Sequence, residues 1–412
     1  MTTASFDLLP PAARPNALIC ASSTVIRVFL PLLSNALSRL FRVDKKVWVF
    51  GFQGMQGVHE FADNSKYLFL GASNAFKGLI RPIWISWTPG LAIMLRNRGY
   101  ESYWVLSARG LRLTLRAGCV FSHMGLGGIM QKLVGCGRAL RVELWHGIPL
   151  KKVDVSVHAD YVVATSEPMR NVFATSLRVP PSRVIVSGYP RNDALLKRVR
   201  GYDIGIVDIL DSLLKLKKSA RIVLYAPTFR DNLSITSEEL LQYLHLDKTR
   251  LDAVLRGQEA YMIAKFHHAV RPTKTNHALQ RLSERIYVIN DPIDLYPILS
   301  IADVLVTDYS SVYFDFLLLD RPIVFYVPDY EKYLQERGFC LDFDSYTPGP
   351  KAKSFEELLL ALRNVLTQKD RFVEQRKNVR EHVFDYVDGL SSHRLVKSVI
   401  EILRLQKTQA LP

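Results

Sequence analysis

Residues 302–329, ADVLVTDYSSVYFDFLLLDRPIVFYVPD, carry the pattern that decides the fold. A short apolar run at 302–308 leads into an apolar helical stretch, and a second run rich in β-branched and aromatic residues begins at 322. Two such runs on either side of a helix predict parallel strands joined by a crossover helix. The stretch therefore indicates an α/β domain built on a parallel sheet.

The same alternation extends over most of the chain, in two series separated by a polar, helix-like stretch from Gly188 to Lys218. The predicted strands are 46–50, 67–71, 82–86, 102–107, 118–122, 141–145, 161–166 and 184–188 in the first series, and 221–227, 261–266, 285–290, 302–308 and 322–329 in the second. A chain of 412 residues is long for one domain and suits two. We predict an N-terminal segment over 1–43, a first α/β domain over 44–200 and a second over 201–412 that includes closing helices.

The composition is that of a globular protein, with 48% hydrophobic and 23% charged residues. The net charge of +15 indicates an anionic partner, which could be a nucleic acid, an acidic membrane surface or a phosphate-rich substrate. The four cysteines form no CxxC pair, so the sequence suggests neither a zinc site nor a disulfide framework, and a reducing cytosol fits best.

The N-terminal segment shows a pattern typical of a membrane-surface helix. In residues 24–43, TVIRVFLPLLSNALSRLFRV, apolar side chains recur at helical spacing and basic or polar ones occupy the other side. A helix packed on its own domain is the alternative, and Pro31 interrupts either helix. We expect no spanning helix, because no run of 18 apolar residues occurs, and no secretory signal in residues 1–19.

Polar and ionisable side chains follow several predicted strands. In open α/β sheets, ligands bind beyond the carboxyl ends of the strands. The candidates are His146 and Lys151 after 141–145, Arg191 after 184–188, Thr228 and Arg230 after 221–227, Lys265 and His267 at the end of 261–266, and Asp308, Ser310 and Ser311 after 302–308. Each has an ordinary alternative as a cap, a surface cation or a structural histidine, but together they suit an anionic ligand such as phosphate.

Two of these motifs each have a functional and a structural interpretation. Ser310 and Ser311 precede an apolar helix, whose first N–H groups bind phosphate well, yet simple capping by Asp308 or Ser310 explains the same residues. His146 stands at a strand end beside the turn at Gly147, which suits proton transfer on a phosphate ester or a buried structural histidine. The residues by themselves leave both alternatives open.

Several motifs in a fixed order resemble the CDP-glycerol glycerophosphotransferase family, which includes teichoic-acid primases and polymerases and related capsule polymerases. They are DNSKYLF (63–69), LWHGIPLKK (144–152), GYPRND (188–193), LYAPTFRD (224–231), the stretch 294–326 and RGF (337–339). The order of several motifs is more specific than any one of them. The resemblance implies a GT-B-like architecture of two Rossmann-type domains facing a cleft, a CDP-polyol donor, classically CDP-glycerol, and neither a metal nor another cofactor.

The resemblance also implies roles for individual residues. His146 matches the histidine of the family's WHG motif, the general base, and His267 matches a second family histidine that contacts the pyrophosphate or assists the leaving group. Ser310 and Ser311 match the phosphate-binding DYSS motif. After His267 the chain has His268 where many members carry proline or an aromatic residue, so which of these two histidines faces the donor stays open.

The predicted function is the transfer of a polyol phosphate from a CDP-polyol to a hydroxyl of a lipid-linked or polymeric glycan acceptor, with release of CMP. Family acceptors are usually lipid-attached at the inner face of the membrane, so we expect a peripheral protein at the cytoplasmic face of the cell membrane and no nucleic-acid partner. A GT-B glycosyltransferase that uses a nucleotide sugar is one alternative, because fold does not dictate function. A non-catalytic basic membrane-binding protein is the other.

Overall fold

The computed structural model describes residues 40–51, 60–123, 138–228, 246–266, 279–289, 293–367 and 370–408. Within these ranges the chain forms two seven-stranded sheets, one from each series of predicted strands. The first contains β1 (Asp44–Gly51), β2 (Arg81–Ser86), β3 (Ser102–Trp104), β4 (Ala117–Ser122), β5 (Leu140–Glu143), β6 (Tyr161–Ala164) and β7 (Val184–Val186). The second contains β8 (Arg221–Tyr225), β9 (Ala260–Lys265), β10 (Leu279–Arg281), β11 (Ile286–Ile289), β12 (Val304–Thr307), β13 (Ile323–Tyr326) and β14 (Lys351–Ala352).

Helices connect the strands and close the second half. Those before β8 are α1 (Asp63–Ala75), α2 (Pro89–Asn97), α3 (Ala108–Leu115), α4 (Arg170–Ser176), α5 (Asp193–Leu196) and α6 (Val207–Lys217). Those after β8 are α7 (Lys248–Gly257), α8 (Tyr296–Ile301), α9 (Val312–Phe316), α10 (Tyr330–Glu336), α11 (Phe343–Tyr346), α12 (Phe355–Thr367), α13 (Val373–Val383) and α14 (Ser391–Thr408). The predicted amphipathic segment 24–43 lies outside the described residues except for its last four.

Both sheets are doubly wound. Their strand orders are β3-β2-β1-β4-β5-β6-β7 and β10-β11-β9-β8-β12-β13-β14, and every pairing is parallel except that of β10 with β11. Without β7 and β10 the two orders are equivalent, and each reverses direction beside its first strand, between β1 and β4 or between β8 and β12. This confirms the predicted pair of Rossmann-type domains. Ligands of such sheets bind at the reversal points.

One predicted strand is wrong. The run YLFLG at 67–71 lies in the middle of α1 and not in the sheet. Every residue from Asn64 to Leu70 is buried, so this helix shows no polar face, and a short apolar run cannot by itself be told from a buried strand. The short edge strands β10 and β14 are additions to the predicted set.

The two halves share a continuous core. One cluster of buried apolar side chains contains Trp48 and Phe121 of the first half together with Tyr313 and Phe325 of the second. The C-terminal helix α14, grouped with the second domain in the prediction, packs against α1 of the first half. The predicted boundary at residue 200 falls between the last strand of the first sheet and the first strand of the second.

Candidate active site

A tight turn after β5 presents His146 to solvent. Trp145 has φ +56°, a left-handed conformation that is uncommon outside glycine and is found at functional sites. Its N–H donates to the Glu143 carboxylate over 3.0 Å, and its carbonyl accepts from Asn64 Nδ2 over 2.9 Å. The turn is therefore held from both sides, by its own strand and by the start of α1.

The imidazole of His146 has a defined orientation. Its Nδ1 lies 3.0 Å from the backbone carbonyl oxygen of His123, and its ring lies 4.3 Å from the Trp145 ring, measured between centroids. Since a carbonyl oxygen can only accept a hydrogen bond, this contact assigns the proton to Nδ1. Nε2 then carries the lone pair, as a general base requires.

The surroundings favour the neutral form of His146. Although the ring is exposed, the dense protein around the turn disfavours the charged form and lowers its pKa, while Asp63 and the His123 carbonyl oppose this effect. The positive charges of Arg191 and Lys151 lower the pKa further. We therefore expect a neutral imidazole at pH 7.

His123 supports the base through its backbone and is itself buried. Its Nδ1 lies 3.0 Å from Ser65 Oγ, and burial lowers its pKa to about 4. The side chain is therefore neutral at physiological pH. His123 is not among the candidates predicted from the sequence, because a contact made through its backbone carbonyl leaves no motif.

Arg191 is the centre of a buried charge network. Its guanidinium donates to Asp63 over 2.7 Å, to Asp315 over 2.7 Å and to the carbonyl oxygen of His146 over 2.9 Å. Asp63 begins α1 in the first half, and Asp315 lies in α9 of the second. Arg191 therefore fastens the backbone of His146 to both halves of the molecule.

This environment favours an indirect role for Arg191 over direct binding of substrate. The side chain is only 3% exposed. Burial would lower its pKa, but Asp315 and Asp63 outweigh that effect and raise the pKa well above its ordinary value. Its charge is already balanced by two carboxylates, so the geometry supports a positioning role through the His146 carbonyl.

The DNSKY motif at the start of α1 joins the same network. Each of its residues makes a polar contact through its side chain with a distant part of the chain. The contacts are Asp63 with Arg191, Asn64 with the Trp145 carbonyl, Ser65 with His123, and Lys66 and Tyr67 with Asp294, each of these last two over 2.8 Å. Asp294 lies just before α8, so the motif also ties α1 to the second half.

The strand ends of the second half are joined by Asp308. Its Oδ1 accepts from the N–H of Thr228 over 2.8 Å and from that of Ser310 over 3.2 Å, which links the ends of β8 and β12 at the reversal point. Ser310 and Ser311 are half-buried, and the Ser311 side chain caps no N–H of the short helix α9. The bond from the Ser310 N–H to Asp308 agrees with the capping alternative for Asp308, whereas the Ser311 hydroxyl makes no cap.

Ser311 touches the His146 turn across the two halves. A Cβ placed on Gly147 would lie 2.2 Å from Ser311 Oγ and 3.0 Å from Ser311 Cβ, so that any larger residue would require the Ser311 side chain to move. The WHG and DYSS motifs, more than 160 residues apart in sequence, are therefore in direct contact.

Of the four remaining predicted residues, two lie within the described ranges. Lys151 lies close enough to lower the pKa of His146, and its backbone forms a β-bridge with Phe339 of the RGF motif. Lys265 donates from Nζ to the carbonyl oxygen of Phe266 over 2.8 Å. Arg230 and His267 lie outside the described residues.

Within the described ranges, no group of three or more His, Cys, Asp or Glu side chains is placed to hold a metal ion. No helix in the same ranges is both long and apolar enough to cross a membrane.

Comparisons with known proteins identify relatives of this chain. Residues 33–401 match the family described as CDP-Glycerol:Poly(glycerophosphate) glycerophosphotransferase. A teichoic acid poly(glycerol phosphate) polymerase of Bacillus spizizenii is 33% identical over 291 residues, which cover 63% of this chain and 69% of that protein. A teichoic acid poly(ribitol-phosphate) polymerase of the same organism is 29% identical over 275 residues, which cover 63% of this chain but 43% of that protein.

The fold is also that of a solved structure. The wall teichoic acid polymerase TagF superimposes with a TM-score of 0.69 at 20% identity, over 94% of this chain and 96% of that one. At this identity the likeness establishes the architecture only. Because the family match spans nearly the whole chain, the protein belongs to the CDP-glycerol:poly(glycerophosphate) glycerophosphotransferase family and is an enzyme.

Proposed function

We propose that the protein transfers glycerol phosphate from CDP-glycerol to a hydroxyl of a lipid-linked or polymeric glycan acceptor and releases CMP, as a step in the synthesis of a cell-envelope polymer. The observation that carries the proposal at the site is the contact between Gly147 and Ser311, which brings the phosphate-binding motif against the turn of His146. In that turn the carbonyl oxygen of His123 contacts Nδ1 of His146 and leaves Nε2 to act as the base. The poly(glycerol phosphate) polymerase relative supports glycerol as the polyol. Ribitol phosphate is the second candidate, because a poly(ribitol-phosphate) polymerase is nearly as similar.

The reaction is a displacement at phosphorus. The acceptor hydroxyl gives its proton to Nε2 of His146, and its oxygen bonds to the phosphorus that bears the glycerol. The bond from that phosphorus to the bridging oxygen breaks, and the electron pair leaves with CMP. A phosphodiester is formed, and the imidazolium later releases its proton to solvent.

The departing phosphate carries charge that the protein must stabilise. We assign this task to Ser310 and Ser311 and to the cation Lys151, which lies near His146. Asp308 holds the N–H groups of Thr228 and Ser310 and so orients the phosphate-binding turn.

Further contacts with the donor are proposed on the family resemblance. Thr228, Arg230 and Lys265 would contact the CDP portion. His267 would contact the pyrophosphate or assist the leaving group.

The first test is CMP release from CDP-glycerol, with and without a membrane lipid extract as acceptor. His146→Ala should lower the rate by about 10²- to 10⁴-fold, the usual contribution of a general base, while donor binding is retained. The matched control is His158→Ala, because His158 is an exposed histidine of the same half, and it should keep wild-type activity. Ser311→Ala should instead raise the KM for the donor.

The outcomes separate the alternatives. Full turnover by His146→Ala would refute the role of this residue as the base. CMP release only from CDP-ribitol would change the polyol, and nucleotide release only from UDP-sugars would favour the glycosyltransferase alternative.

We also propose peripheral attachment at the cytoplasmic face of the cell membrane through residues 24–43. The basic residues on one side of this predicted helix would contribute roughly 1 kcal/mol each near an anionic surface. The triple variant Arg27→Gln/Arg39→Gln/Arg42→Gln of the full chain should sediment less with anionic vesicles. Wild-type protein that stays wholly in the supernatant at low salt would contradict the proposal.

A further inference from the structure

A cavity of about 460 Å³ lies at the opposite end of the first sheet from His146. It is formed where β1 and β2 begin, at the end of α1, in the turn before β3 and in the segment that joins the two halves. His146 follows the carboxyl end of β5, whereas this cavity opens at the amino ends of the strands. The 13 residues of α1 span about 20 Å between the two places, so the cavity is separate from the candidate active site.

The cavity has an excess of positive charge. Its lining contains five basic side chains and one acidic one, Glu101. The basic residues are Lys46, Lys77, Arg81, Arg98 and Arg200, all of them exposed. Arg81 pairs with Glu101 over 2.7 Å, and within the described ranges the other four make no ion pair.

These cations converge from separate elements. Two belong to the starts of different strands, one to the loop after α1, one to the turn after α2 and one to the joining segment. Arg98 caps the C-terminus of α2 and Lys77 follows that of α1, where helix ends favour positive charge, but Lys46, Arg81 and Arg200 lie at no helix end. Two nearby carboxylates, Asp44 and Asp203, do not line the cavity.

The wall also contains ordered neutral groups. Asn74 Nδ2 and the Tyr100 hydroxyl both donate to the carbonyl oxygen of Arg200, over 3.3 and 3.2 Å. These bonds hold the backbone of the joining segment against α1. The guanidinium of Arg200 therefore extends from a fixed point of the wall.

We propose that this cavity binds a phosphate-bearing anion, at a site distinct from that of phosphotransfer. Arginine and lysine side chains that have no carboxylate partner bind phosphate oxygens through charge-assisted hydrogen bonds, and the volume is that of ordinary ligand sites. The phosphate could belong to a free phosphorylated molecule or to a lipid headgroup, and the chemistry of recognition is the same. The proposal does not depend on the identity of the donor or on His146.

The test compares two full-length variants that lose the same charge. Lys77→Gln/Arg98→Gln/Arg200→Gln removes three cations from the cavity, and Lys332→Gln/Arg371→Gln/Lys377→Gln removes three exposed cations from the second half. Exposed positions without ion pairs should tolerate glutamine, which thermal unfolding of both variants will verify. Inorganic pyrophosphate is titrated by calorimetry, and sedimentation is measured with phosphatidylcholine vesicles with and without phosphatidylglycerol.

We expect the cavity variant to bind at least one of these probes about tenfold more weakly than wild type, and the control variant to bind within about twofold of it. A loss confined to pyrophosphate supports a free phosphorylated ligand, and a loss confined to phosphatidylglycerol vesicles supports a lipid headgroup. Equal binding by the two variants to both probes would overturn the proposal. So would a wild-type protein that binds neither probe.

Discussion

Replacing Arg191 with methionine should destabilise the folded chain by about 3–5 kcal/mol, the usual cost of removing one partner from a buried ion pair. Methionine retains an unbranched apolar side chain but removes the charge and three hydrogen bonds, to Asp63, Asp315 and the carbonyl of His146. Asp315 is 1% exposed, so it would be left as a buried carboxylate without a countercharge. Turnover should fall as well, because the backbone of His146 loses its anchor.

The assay is urea unfolding at pH 7.5, with Arg250→Met as the matched control. Arg250 also pairs with a carboxylate, that of Glu356, but the two side chains are 50% and 67% exposed. Such a pair contributes about 1 kcal/mol or less, so the control should unfold close to wild type.

The pH dependence of stability is a second readout, which tests the loss of the Arg191 charge beside Asp315. In the wild type, burial raises the pKa of Asp315 and Arg191 opposes this rise. Without Arg191 the pKa of Asp315 in the folded state should rise further above its unfolded value of about 3.9. The folded state then binds a proton at Asp315 more tightly than the unfolded state does. Stability relative to wild type should therefore recover as the pH falls from 7.5 to 5. A loss below 1 kcal/mol, or one independent of pH, would refute this account of the network.

Three further predictions concern the turn around His146. The free energy of unfolding should fall by up to about 3 kcal/mol as the pH is lowered from 6.5 to 4. The reason is that the pKa of His123 is depressed in the folded state, so that the unfolded state takes up a proton at this residue at a higher pH. In urea titrations, His123→Gln should abolish this part of the pH dependence. Gly147→Ala should lower both stability and activity through the clash with Ser311, and adding Ser311→Gly should restore the unfolding midpoint but not donor binding. The acidic limb of the pH profile of kcat/KM should lie below pH 6.5, because the pKa of His146 is lowered. A limb above pH 7 would contradict an environment that favours the neutral imidazole.

The strand pattern was predictable because it depends on local sequence. Runs such as 221–227 and 302–308 are short, apolar and bounded by polar turns, and both contain strands. The run at 67–71 failed because residues 64–70 of α1 are all buried, which removes the periodicity that distinguishes a helix from a strand. Burial of that kind is a property of the assembled fold.

The positions of candidate residues were predictable to the same extent. Parallel strands place their carboxyl ends at one edge, so His146, Asp308 and Ser311 could be placed near a cleft from the strand order alone. The surroundings of Arg191 could not be predicted. Its partners Asp63 and Asp315 are 128 and 124 residues away, and no sequence pattern marks a side chain that turns inward rather than toward a ligand.

The sequence by itself determined the two doubly wound domains, the family and the residue types available for phosphate chemistry, because these follow from periodicity and from motifs in order. Only the tertiary structure decided which nitrogen of His146 contacts a carbonyl oxygen, which cations are balanced by carboxylates, and which side chain lies against Gly147. The physical reason is that pKa values, tautomers and close contacts depend on distances between atoms that are remote in sequence, and those distances exist only after the two halves have packed together.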